Sequence, residues 1–155
     1  MNRINTLLAM LLVTGIITTA VNCRGKVECV PPPPFLQLWL TNANGSPAVD
    51  SSNAKQTTIG YFRNGKVTSL NDARVEFFGR ESYVQSYEVI RVASESADTA
   101  RFYIVIGDRP AGVFQLKTYL RNTPCDKSTQ SSELRYNGTV IPYDNMKPGY
   151  TLVVP

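Results

Sequence analysis

Three segments of this chain alternate strictly between core-type and other side chains. Leu36, Leu38 and Leu40 alternate with Gln37, Trp39 and Thr41; Phe102, Ile104 and Ile106 alternate with Arg101, Tyr103 and Val105. Phe114, Leu116, Thr118 and Leu120 do the same against Gln115, Lys117, Tyr119 and Arg121. Successive side chains of a strand point to opposite faces, so a period of two predicts strands with one packed face. Thr57–Phe62, Arg74–Phe78, Ser82–Val92, Glu133–Tyr136 and Tyr150–Val154 are further strand candidates. Turn signals separate them: Asn44-Gly45, Asn64-Gly65, Asn137-Gly138, and Asp108 to Gly112 around Pro110. Asn-Gly suits tight hairpins because both positions tolerate positive φ. No stretch carries a sustained helical period; Ser69 to Arg74 is expected to form at most one turn, with Ser69 as its cap. About eight short strands with regular turns predict an all-β fold over residues 35–155, an antiparallel β-sandwich of about seven to nine strands.

The chain ahead of these strands has a different character. Arg3 is followed by an apolar run, Leu7 to Val21, broken only by Thr14, Gly15, Thr18 and Thr19. The run is shorter than the roughly 20 residues that a spanning helix needs. With a basic start and a polar continuation from Arg24, residues 1–22 read as a secretory signal. Cys23 at the expected cut resembles a bacterial lipoprotein signal, which implies that Cys23 is acylated and becomes the first residue of a membrane-anchored chain. Asn22 stands where such signals carry a small residue. The other available cut follows Ala20, with Thr18 and Ala20 at the recognition positions, and gives a secreted soluble protein. Residues 23–34 read as a tether, and Pro31 to Pro34 are expected to run as extended polyproline II.

Cysteine usage fits an exported chain. There are three cysteines, Cys23, Cys29 and Cys125. Lipid on Cys23 leaves two that can pair in an oxidising compartment, a Cys29–Cys125 disulfide closing most of the mature chain into one loop. The alternative is that one of them is a small buried apolar residue. Three cysteines without histidine or a CxxC pair make a poor ligand set, so no metal is expected.

Chemistry is narrowed mainly by subtraction. The chain has no histidine, which removes Ser-His-Asp and Cys-His arrangements. Glycines do not fall into phosphate-loop spacing. Formal net charge is +4, with the lysines and arginines scattered, so no nucleic-acid footprint is present. No cofactor is implied. Two carboxylates inside strand candidates, Glu76 and Glu88, are flanked by aromatics and are the pair from which a sugar hydrolase would be built. The plainer reading has them facing outward and paired with Arg74 and Arg91. Asp50, Ser51, Ser52 and Asn53, and separately Glu95 with Asp98, are oxygen-rich but lack calcium-loop spacing.

Eight tyrosines, six phenylalanines and one tryptophan make an aromatic-rich chain. Trp39, with Tyr61, Tyr103 and Tyr119 on other strands, is a candidate platform for stacking on sugar rings; aromatics also fill sheet surfaces by propensity. The polar connections Asn42–Lys55, Ala93–Thr99 and Asn122–Ser132 are the loops on which recognition would sit.

The cysteine-terminated signal, the prolines and the segment FLQLWLTNANGSPAVD resemble small Bacteroidetes-type lipoproteins of unknown function, as does FQLKTYLRNTPCDKSTQSSELRYNGTVI. The NANGSPAVD turn also resembles the start of transthyretin-like or carboxypeptidase-regulatory-like modules, which implies a sandwich of Ig-like or transthyretin-like type. Neither resemblance brings catalytic residues. Asp98-Thr99-Ala100 resembles the O-glycosylation acceptor of such organisms, with Thr99 modified. The expectation is an exported, non-enzymatic cell-envelope domain that binds another envelope protein or a glycan. A carbohydrate-binding module on exposed aromatics is its sharper form, and a carboxylate hydrolase is the third reading.

Overall fold

The computed structural model describes residues 34–63, 66–97, 100–123 and 126–155. The expected signal (1–22), nearly all of the tether, Cys23, Cys29, Cys125 and Thr99 lie outside the described residues. Among the described residues eleven strands and one α-helix follow in the order β1 (Leu36–Thr41), β2 (Thr58–Arg63), β3 (Lys66–Ser69), β4 (Arg74–Phe78), β5 (Glu81–Ser86), α1 (Glu88–Glu95), β6 (Arg101–Ile106), β7 (Arg109–Thr123), β8 (Asp126–Tyr136), β9 (Thr139–Ile141), β10 (Tyr143–Asp144) and β11 (Gly149–Val153), with a 3-10 turn at Ala54–Gln56 ahead of β2. They build two packed sheets, one ordered β10-β11-β1-β5-β4 and the other β3-β2-β6-β7-β8-β9. The fold is an all-β sandwich, as the alternation predicts.

The alternating side chains fill its centre. Leu36, Leu38, Leu40, Val84, Tyr150 and Leu152 point inward from the first sheet; Ile59, Phe102, Ile104, Phe114, Leu116 and Leu134 point inward from the second, and all join one cluster. Phe102 and Phe114 stack with centroids 5.0 Å apart, and neither is exposed. Truncating either to alanine removes about 3–5 kcal/mol of burial and packing.

Four features depart from expectation. The sheets are not wholly antiparallel: β1 runs parallel to β11, Trp39 opposite Thr151. The strands number eleven because Lys66–Ser69, Thr139–Ile141 and Tyr143–Asp144 are short additions whose partners lie across hairpins. The polar segment 122–132, expected as a loop, instead largely continues the β7–β8 ladder down to Thr123↔Asp126. The fourth departure is helical. The expected strand Ser82–Val92 ends at Ser86, and α1 follows, burying Val89, Ile90, Val92 and Ala93.

Hydrogen bonding explains where the helix starts. The Asp72 carboxylate accepts from the Ser86 hydroxyl at 2.7 Å and from the backbone N–H groups of Tyr87 and Glu88 at 2.6 and 2.9 Å. The Ser86 hydroxyl accepts in turn from Val89 N–H at 3.2 Å. Three donors that a helix start leaves orphaned are thereby satisfied. On the solvent side Arg91 pairs with Glu88 at 3.3 Å and Glu95 at 2.9 Å.

Candidate functional site

The four aromatics of the expected platform do not meet. Trp39 belongs to the five-stranded sheet, Tyr61, Tyr103 and Tyr119 to the six-stranded one. Trp39 does face outward, in the cross-strand row Glu76–Tyr83–Trp39–Thr151. It is nevertheless only 6% exposed. Its indole N–H donates to the Pro148 carbonyl at 3.4 Å, Tyr83 packs at 4.8 Å, and the Lys147 ammonium sits 5.7 Å from its ring. Lys147 also pairs with Glu81 on β5. The turn between β10 and β11 thus lies over much of the ring, which still lines a hollow of about 470 Å³ together with Tyr83, Phe78 and Met146. Tyr61 points into the core against Phe102, and Tyr119 stands half exposed just past the point where a bulge at Ser132 of β8 shifts the β7–β8 register.

Tyr103 is the member that lines two hollows. It lies on the outer face of β6, with Phe62 of β2 beside it at 5.2 Å. Pairing sets Arg101, Gln115 and Arg135 in one row across β6, β7 and β8. Two hollows meet here. One, of about 650 Å³, opens between β2, β6 and the last turn of α1. The other, of about 340 Å³, lies across β6–β8 over Gln115, Arg135 and Asn137. Arg101 and Tyr103 line both, so an aromatic ring and a guanidinium stand where the two hollows adjoin, and the pair make a furrow along this side of the sheet.

The charges along this furrow are unevenly matched. Glu133 is bonded by Arg135 at 2.8 Å and Lys117 at 3.2 Å. Those contacts, Arg135 first, hold its carboxyl below the usual carboxylate range. Glu95 is engaged by Arg91, whose guanidinium affinity for its proton is raised by that contact. Among the described residues Arg101 has no carboxylate within ion-pair distance. Among the described residues the furrow therefore offers one cation without a carboxylate partner and a net positive row. Its far wall is rigid, because Asn137 accepts from Val113 N–H at 3.0 Å and returns its own N–H to Val113 O at 2.8 Å. Asn137 and Gly138 both take positive φ, the tight turn their sequence predicts.

The acidic pair does not assemble into one centre. Glu76 lies on β4, 3.7 Å from Arg74, and accepts from the Gln85 amide at 3.3 Å. Glu88 opens α1 and pairs with Arg91. Glu88 lines a hollow of about 550 Å³ at the junction of β4 and α1, which Glu76 does not line. Asp50 is occupied by a turn of its own, accepting from Ser52 N–H, Ser52 hydroxyl and Asn53 N–H. Those bonds, the Ser52 hydroxyl first, lower its pKa. Among the described residues no three acidic or cysteine side chains converge as metal ligands would.

Phe62, Arg101, Gln115 and Arg135 are absent from the expected platform. Arg101 and Gln115 are visible in the sequence as outward positions of alternating strands, but their alignment with Arg135 depends on strand order. No protein-family model, no curated protein and no solved structure matches this chain.

Proposed function

We propose that this chain is a non-enzymatic, exported cell-envelope domain, held at a membrane by lipid on Cys23, that binds a glycan along the outer face of its six-stranded sheet. The observation that carries the binding reading is the furrow in which Tyr103 and Phe62 stand beside the Arg101–Gln115–Arg135 row. Aromatic faces accept the C–H face of a sugar ring, while planar guanidinium and amide groups hydrogen-bond its oxygens. Arg101, which has no carboxylate partner among the described residues, favours a sugar bearing a carboxylate. Only two cations lie on this row, beside a carboxylate already paired within it, which suits a sparsely charged glycan better than a phosphate backbone. The signal-like start, the cysteine at its end and the Pro-rich stretch support the envelope placement.

Titration calorimetry of the purified protein with polygalacturonate and with neutral dextran tests the ligand. Tyr103→Ala and Arg101→Gln alter outward side chains and leave the core intact. Saturable binding of the uronate polymer, weakened by both variants, supports the reading; no heat with either polymer, or binding that both variants retain, overturns it. The anchor is tested by the intact mass of the protein from its native membrane fraction, before and after reduction. A chain that begins at Cys23 with acyl mass, and gains two hydrogens on reduction, supports lipidation and a Cys29–Cys125 bridge. A chain beginning at Val21 without lipid overturns the anchor.

A further inference from the structure

The strand β4 ends its sheet, with the short 3-10 turn Ala54–Gln56 close to it. It pairs with β5 along all five residues, Arg74↔Gln85 through Phe78↔Glu81, and among the described residues no strand lies on its other side. Exposed edges are templates for further pairing, and proteins usually blunt them by shortness, lysine, proline or a bulge. The other sheet ends follow that practice: β10 has two residues, β9 has three, and β3 begins with Lys66 and has four. By contrast, β4 reads Arg-Val-Glu-Phe-Phe and shows no register shift. Phe77 is 54% exposed and Phe78 73% exposed.

We propose that β4 is the interface between two copies of this chain, pairing antiparallel about a twofold axis at Val75. The two five-stranded sheets become one continuous sheet, and the contact is isologous. Charge selects the register. Alternation puts Arg74, Glu76 and Phe78 on one face and Val75 and Phe77 on the other. Centred on Val75, the pairing sets Arg74 opposite Glu76 of the second copy, and Glu76 opposite its Arg74. On the other face Phe77 lies opposite Ala73, a small residue that leaves room for the ring. Centred on Glu76, the pairing would oppose two carboxylates. Centred on Phe77, it would set Arg74 against Arg80 and leave Glu76 against Phe78. Arg74 and Glu76 already lie 3.7 Å apart within one chain, and only the first register adds an opposite charge from the second copy to each while covering an exposed phenylalanine.

The test is sedimentation of the purified protein over a range of concentrations, under reducing conditions so that cysteines do not join chains. The expected result is a concentration-dependent dimer. Arg74→Glu and Glu76→Arg each turn two attractive cross-strand pairs into two repulsive ones, and each raises the dissociation constant roughly tenfold or more. The double variant R74E/E76R reverses both charges, restores the complementarity and restores the dimer. Circular dichroism of each variant keeps loss of folding separate, since both side chains face solvent. A monomer at every concentration overturns the interface. Folded single variants that dimerise as tightly as the parent, or a folded double variant that stays monomeric, overturn this register.

Discussion

The ring of Tyr136 occupies the space that a side chain at Gly112 would need. A Cβ built there would stand 2.5 Å from Tyr136 Cε2 and Oη, and Gly112 has φ of 143°, where L side chains are rarely found. The arrangement is produced by a bulge. Between β6 and β7, Ile104 faces Gly112 and Val105 faces Pro110, so Ala111 is left without a ladder partner. Its carbonyl is taken instead by the Tyr136 hydroxyl. The bulge also explains how Pro110, which has no N–H to donate, sits inside a strand.

Gly112→Ala is therefore expected to destabilise the domain by roughly 2–4 kcal/mol, combining overpacking with an unfavourable φ. Tyr136→Phe removes the donor to a buried carbonyl and is expected to cost about 1–3 kcal/mol. Urea denaturation measures both. A Gly112→Ala protein as stable as the parent would mean that the Tyr136 ring can move aside.

The same burial predicts behaviour in alkali. Tyr136 and Tyr150 both hold their protons above the ordinary tyrosine range, chiefly because burial disfavours the phenolate. The unfolded chain releases these protons near the ordinary value of about 10. Above that pH the unfolded state is deprotonated while the folded state still carries the protons, so rising pH favours unfolding. The stability from these groups is fully present below about pH 10 and is lost as pH climbs through their folded pKa values. Thermal melts between pH 8 and 11 should show a decline that Tyr136→Phe makes shallower. An unchanged slope in that variant would assign the decline elsewhere.

The cap on α1 gives a local prediction. Asp72→Ala removes the acceptor shared by the Ser86 hydroxyl and two backbone N–H groups. A loss of about 1–2 kcal/mol is expected, as for other helix N-terminal acceptors. Amide hydrogen exchange should localise it, with Val89 and Ile90 losing protection before β6 and β7. Uniform loss across the sheets would show that Asp72 holds the whole domain rather than the helix start.

How much of this was readable from residues follows from packing. β1 and β6 are visible because each has one face in the core, giving Leu36-Leu38-Leu40 and Phe102-Ile104-Ile106 their period. The helix is hidden because it has only eight residues, its buried positions Val89, Ile90, Val92 and Ala93 cover little more than one turn, and it follows β5 with a single residue between. Its start depends on Asp72, which is remote in sequence. Trp39 reads correctly as opposite Leu38 and Leu40, hence outward. Its cover comes from Pro148 and Lys147, over a hundred residues later, and no local pattern announces it. The furrow is hidden for the same reason: Arg101, Gln115 and Arg135 become neighbours only once β6, β7 and β8 are in register.

That cover over Trp39 can be observed directly, because the chain has a single tryptophan. Lys147 bridges from the β10–β11 turn to Glu81 while its ammonium faces the indole. Both charged side chains are partly exposed, so the ion pair itself contributes no more than about 1 kcal/mol. Lys147→Ala should thus change the denaturation midpoint little, yet admit water to the ring. Its fluorescence emission should move to longer wavelength, and acrylamide should quench it faster than in the parent. Glu81→Gln keeps the lysine stem over the ring but weakens its tie, and should give a smaller change in the same direction. If neither variant alters emission or quenching, Pro148 and Tyr83 alone suffice to bury the indole, and the lysine contributes nothing to its shielding.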